Sequence, residues 1–134
     1  MDRRGGTVSF NFLDPAGQVI DERAVARDAT AAGISLRTGC FCNPGAGEWA
    51  LGLTKRDVRG PWWLALAGGG FLRKNMTTVD DYLRVVGLSS GGAVRVSLGL
   101  VSNVADVNAF LDFAERTYRD RGTDLAGLAP RLRC

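Results

Sequence analysis

Three observations in the sequence predict a small α/β domain of the α+β kind. An alternating stretch near the start, "TVSFNFL", and another further on, "AVRVSLGL", have the period of two expected of strands with one buried face. Several intervening and following segments begin with a capping residue and end near a glycine, the marks of helices. The expected architecture is a sheet of about three to four strands with helices packed on one face. A doubly wound fold is excluded by the few strands and by the lack of a phosphate-binding glycine fingerprint after the first of them.

Each element follows from local chemistry. In the first strand Val8, Phe10 and Phe12 alternate with Thr7, Ser9 and Asn11, and "DPAGQ" turns the chain back. From the N-cap Asp21 to Gly33, "DERAVARDATAAG" is predicted to be a helix packing through Ala24, Val25, Ala29 and Ala32. "ISLR" is a short strand that delivers the chain to the loop "GCFCNPGAGE", where Gly39, Gly45 and Gly47 open backbone angles and Pro44 fixes one. "EWALGL" is expected to form a helical turn, and "TKRDV", capped by Thr54, to start a helix that Pro61 interrupts.

After the loop "LAGGGFLRKN", Thr77 or Thr78 caps the helix "VDDYLRVV", which Gly87 closes. In "AVRVSLGL" the residues Val94, Val96 and Leu98 alternate with Arg95, Ser97 and Gly99, so Arg95 lies on the face opposite the valines. Ser102 and Asn103 cap the last helix, with Val104, Val107, Phe110, Leu111, Ala114 and Tyr118 as its packing stripe and an end near Gly122. Residues 1–122 read as one domain and 123–134 as a tail.

Composition excludes several function classes. With 134 residues, 46% hydrophobic and 23% charged, the chain is long and apolar enough to fold around a core. The longest apolar run, "PWWLALAGGGF", falls well short of the roughly 20 residues of a membrane-spanning helix. No signal-peptide h-region follows "MDRRGGTVSF", so the expected address is the cytoplasm. The net charge of +3 is spread among 14 acidic residues without interleaved exposed aromatics, and nucleic-acid binding is not expected.

Chemistry centres on Cys40 and Cys42. Three cysteines, no histidine and a reducing compartment argue against a disulfide framework, and no zinc ligand set is present in the sequence. Cys42 reads either as a small buried hydrophobe or as a thiolate whose pKa a nearby guanidinium lowers. Arg37 and Arg95, both near strand ends, read either as solvated surface residues or as a fork that clamps a carboxylate. Trp49, Trp62 and Trp63 suit a core or an interface, and the Trp62–Trp63 pair would fit a partner.

The run "FNFLDPAGQVIDERAVARDATAAGISLRTGCFCNPGAGE", followed by "GGAVRVSLGLVSNVADVNAFLDF", resembles the C-terminal small domain of class V aminotransferase-fold enzymes that use pyridoxal phosphate. The resemblance is strongest to the cysteine desulfurase and molybdenum cofactor sulfurase branch, and it covers roughly residues 5 to 118. It rests on the paired motifs R-T-G-x-x-C and R-V-S-L-G, in that order.

The resemblance implies a transferase domain in which Cys42, on a mobile loop, accepts sulfur as a persulfide from a substrate cysteine held by the cofactor. Cys40 and Asn43 become secondary residues of that loop. Arg95 matches the arginine that holds the substrate α-carboxylate, and Arg37 the arginine that opens the catalytic loop. Pyridoxal 5′-phosphate would belong to the complete enzyme, on a large domain that precedes the small one.

Lys55 and Lys74 do not match the cofactor-lysine motif, so no cofactor is expected on this chain alone, and a fragment, a split subunit or an excised domain is expected. Its partners would then be that large domain or a homodimer mate, an amino-acid substrate and a sulfur acceptor. The alternatives are a lyase or epimerase of the same fold, in which Cys42 is dispensable, and a non-catalytic domain that binds a partner.

Overall fold

The computed structural model describes residues 5–39, 54, 78–122, 124 and 126–131. The chain divides into two compact units, Met1–Gly39 with Gly92–Leu128, and Cys40–Gly91 with Ala129–Cys134. The first unit holds strand β1 (Thr7–Phe10), helix α1 (Glu22–Ala31), strand β2 (Arg37–Gly39), strand β3 (Ala93–Ser97) and helix α3 (Val104–Tyr118). The second holds helix α2 (Val79–Val86).

The sheet is antiparallel and three-stranded in the order β1-β3-β2, so the last strand in sequence is the central one. Its register opposes Val8 to Val96 and Phe10 to Val94 on one side, Thr38 to Val94 on the other. Val94 is buried in a cluster with Ile20, Val25, Ala29, Phe113 and Tyr118, against which Phe10, Phe12, Ile34, Leu36 and Phe110 pack. One sheet face therefore meets α1 and α3, as the alternation predicts. Aromatic contacts close the cluster: Phe12 stacks on Tyr118 with ring centres 4.4 Å apart, and Phe10 meets Phe110 edge to face at 5.9 Å.

Helix α1 begins where predicted. Asp21 is fully buried as its N-cap, accepting from the Arg23 backbone N–H at 2.8 Å and from the Arg23 guanidinium through both carboxylate oxygens. The helix ends in a Schellman turn: Ile34 N–H donates to Ala29 O, Gly33 N–H donates to Thr30 O, and Gly33 has φ +72°. Ala24, Val25 and Ala29 are buried as expected, but Ala32 is exposed, because the cap has already left the helical path. The same turn moves the second strand. Ile34 and Leu36 pack on the core, and β2 starts at Arg37 rather than Ile34.

The other strands are shorter than the alternation implies. β1 stops at Phe10, and the chain returns through an Asp14–Gln18 turn, in which Asp14 Oδ1 accepts from Ala16 and Gln18 N–H, to bridge Leu13 with Val19. β3 ends at Ser97; beyond it one bond continues towards β1, Leu98 N–H to Gly6 O at 2.7 Å, and Leu98 is half exposed. In α3 the capping box of Asn103 and Asp106 sets the start, while Ser102 instead accepts the Gly99 N–H. Phe113 fills the core in place of Val104 and Leu111, which face water. The helix stops at Tyr118 and not near Gly122, since Arg119 is extended and Asp120 has φ +58°.

In the second unit Thr78 and Asp81 form a capping box for α2, and Gly87 closes it with φ +78°, both as predicted. Arg131 is tied to the helix start: its backbone N–H and guanidinium donate to Asp80 at 2.7 and 2.6 Å, and its carbonyl accepts the Val79 N–H. The predicted elements at "EWALGL", "TKRDV" and "LAGGGFLRKN" lie outside the described residues, Thr54 aside.

Two tests follow from this packing. A methyl group on Gly92 would come within 2.7 Å of Gly39 Cα and 2.9 Å of the Glu22 carboxyl carbon, so the approach of β2 to β3 leaves no room for a side chain at position 92. Gly92→Ala is expected to destabilise the chain by about 1–3 kcal/mol, read as a lower urea midpoint. The second concerns Tyr118, whose hydroxyl donates to Asp28 at 3.1 Å. Burial first, and then the Asp28 charge, hold this phenol well above its usual value of 10.0. A raised folded-state value means that its contribution to stability is intact below about pH 10 and is lost as the pH climbs above that. Ultraviolet titration should show one of the two tyrosines failing to ionise near pH 10, and Asp28→Asn should bring it back down.

Candidate active site

The face of the sheet opposite the aromatic cluster is polar. Antiparallel partners share a face, so the pairings Ser9 with Arg95 and Arg37 with Arg95 place three residues in one row across all three strands. The row below it pairs Thr7 with Ser97, whose hydroxyls lie 3.3 Å apart. Arg95 is half-buried with its Nε enclosed, whereas Arg37 is exposed at the start of the edge strand β2.

The register therefore places the two arginines singled out from the sequence opposite one another on one face of the sheet. Cross-strand partners have Cβ atoms about 4.5–5.5 Å apart, and like charges so opposed cost stability unless negative charge lies beside them. A guanidinium fork is of the chemistry that receives a carboxylate bidentately. The opposition does not depend on side-chain choice alone: the register of β3 against β2 dictates it.

At the end of that pairing Gly39, with φ +106°, stands opposite Ala93 and hands the chain to Cys40. Glu22, the first residue of α1, is buried, with its carboxyl against the Gly39–Gly92 contact. Sequence reasoning passed over Glu22, because an acidic residue in a first helical turn is common and its burial comes only from the approach of β3. It also passed over Asn11, counted merely as a polar position of the first strand; its Oδ1 is buried. Cys42, Cys40 and Asn43 lie outside the described residues, as do Trp49, Trp62, Trp63, Lys55 and Lys74. Among the described residues no group of three or more His, Cys, Asp or Glu has metal-binding geometry, and no helix is long and apolar enough to cross a membrane.

Comparison with known proteins gives one consistent answer. The chain is 39% identical over 127 residues to the molybdenum cofactor sulfurase of Solanum lycopersicum, a match that takes in 95% of the chain. It is 36% identical over 110 residues to that of Homo sapiens, covering 82% of the chain, and 33% identical over 136 residues to that of Arabidopsis thaliana, covering 97%. The chain spans only 14%, 11% and 15% of the lengths of those three proteins. No family model and no solved structure matches it.

Proposed function

We propose a function on the premise that this chain is a sulfurase-type domain, homologous over most of its length to one segment of the molybdenum cofactor sulfurases. In our reading it is the small domain of a cysteine desulfurase-like transferase, and it supplies two things: a fork for the substrate α-carboxylate and a thiol that takes over the sulfur. The observation that carries the first is the direct opposition of Arg37 and Arg95 on the polar face of the sheet. In this reading Arg95 is the inner, half-buried half of the fork and Arg37 the outer, more exposed half.

The thiol is Cys42, with Cys40 and Asn43 as neighbours. Cys42 follows Gly39 by three residues, a reach of about 10 Å in any conformation, so it is tethered to the end of the strand that carries Arg37. Guanidinium charge nearby favours the thiolate, which is the nucleophilic form. The thiolate attacks the sulfur of a substrate cysteine; an S–S bond forms, the substrate C–S bond breaks with its electron pair going to the substrate carbon, which takes up a proton and leaves as alanine, and the persulfide stays on Cys42. Positive charge at the fork holds the carboxylate while this happens, so the sulfur is presented at a fixed distance from its anchor.

Pyridoxal 5′-phosphate supplies the electron sink of such a reaction when bound. In our reading neither Lys55 nor Lys74 holds it. In this reading the cofactor sits on the remainder of the enzyme, which the relatives' greater length accommodates. That remainder is then the chain's first partner, and the sulfur acceptor its second.

The experiment joins the chain to a pyridoxal-phosphate-bearing large domain of sulfurase type and follows sulfur release from cysteine. Cys42→Ala is expected to abolish persulfide formation, while Cys40→Ala retains it. Activity that survives Cys42→Ala would instead favour a lyase of the same fold. Arg95→Lys should raise KM for cysteine about tenfold or more with a smaller effect on kcat, because Lys keeps the charge and loses the fork.

A further inference from the structure

Just beyond β3 the chain makes a tight turn with two aliphatic residues at its tip. Ser102 N–H donates to Gly99 O at 3.1 Å and Gly99 N–H donates to the Ser102 hydroxyl at 3.0 Å, so residues 99–102 form a β-turn closed from both sides. The capping box of Asn103 and Asp106 fixes the chain immediately after it. The central positions of such turns are ordinarily glycine, proline or a small polar residue. Here they are Leu100 and Val101, 107% and 93% exposed.

Neither side chain serves the fold. Both bury next to nothing in the chain, and the bonds that hold the turn come from backbone groups and the Ser102 hydroxyl. Apolar surface continues on either side: Leu98 is half exposed before the turn, and Val104, largely exposed, opens α3 after it. The run "LGLVSNV", residues 98–104, carries no charge in a chain that is 23% charged. An exposed aliphatic cluster without charge has the composition of an interface core, and a turn already fixed presents it at little further ordering cost.

We propose that this turn is the docking prong of the domain, and that its occupant is an apolar hollow on the cofactor-bearing large domain of the enzyme. The identity of the partner rests on the proposed function. An enzyme that holds a substrate carboxylate at Arg95 and works on the same small molecule from another domain must bring that domain close to Arg95. Gly99 follows Arg95 by four residues, within about 14 Å even at full extension, so a surface approaching the arginine reaches the turn as well. The relatives have the length for such a partner, since the chain spans 14%, 11% and 15% of them. A second copy of the chain has no such tie to Arg95.

The test mixes the full chain, unlinked, with a pyridoxal-phosphate-bearing large domain of sulfurase type in the absence of cysteine, and measures affinity by titration calorimetry. Leu100→Ser and Val101→Ser are each expected to weaken binding about tenfold, the loss of one buried aliphatic side chain. Leu13→Ser removes another exposed leucine, beyond the opposite end of β1, and should leave the affinity unchanged. Undiminished affinity in the variant carrying both turn substitutions overturns the proposal, as does failure of the unlinked wild-type chain to bind. Self-association of the chain that the same double variant abolishes in sedimentation also overturns it, because the occupant is then a second copy. Docking and chemistry fail separately. Binding that the turn substitutions weaken, in an enzyme that releases no sulfur from cysteine once the two parts are joined, supports the prong and counts against the sulfurase reading. Sulfur release by the joined enzyme, with an affinity indifferent to the turn, supports that reading and overturns the prong.

Discussion

The pairing of β3 between β1 and β2 is the constraint from which the rest follows. Because the last strand in sequence is inserted at the centre, every feature of the site depends on contacts between distant parts of the chain. The register that buries Val94 against α1 and α3 is the same register that opposes Arg37 to Arg95 on the other face. A slip of one residue would turn Arg95 into the aromatic cluster and Val94 out of it, so the hydrophobic core enforces the charge arrangement. Fold stability and the proposed fork are thus two faces of one alignment.

Glycine makes that alignment attainable at its tightest point. A Cβ at Gly92 would collide with the Gly39 backbone and with the Glu22 carboxyl carbon, so position 92 admits no side chain. This contact closes β2 against β3 one residue before Cys40. The Asp21 cap, buried and bonded to Arg23, sets where Glu22 sits, so helix capping reaches as far as the site.

Much of this was legible from residue pattern. The caps at Asp21, Thr78 and Asn103, the glycine stops at Gly33 and Gly87, and the placement of Arg95 opposite the valines all rest on local chemistry, which short stretches of sequence carry. Strand ends were not legible, because they depend on pairing with distant residues: β3 stops at Ser97, with only the Leu98 N–H to Gly6 O bond beyond it, whatever the alternation of Leu98 and Gly99 suggests. The choice of Phe113 over Leu111 in the core likewise reflects where Phe10, Phe12 and Tyr118 sit, which the helical period alone leaves open. The opposition of Arg37 and Arg95 needs the register of strands more than fifty residues apart, and no local signal encodes it.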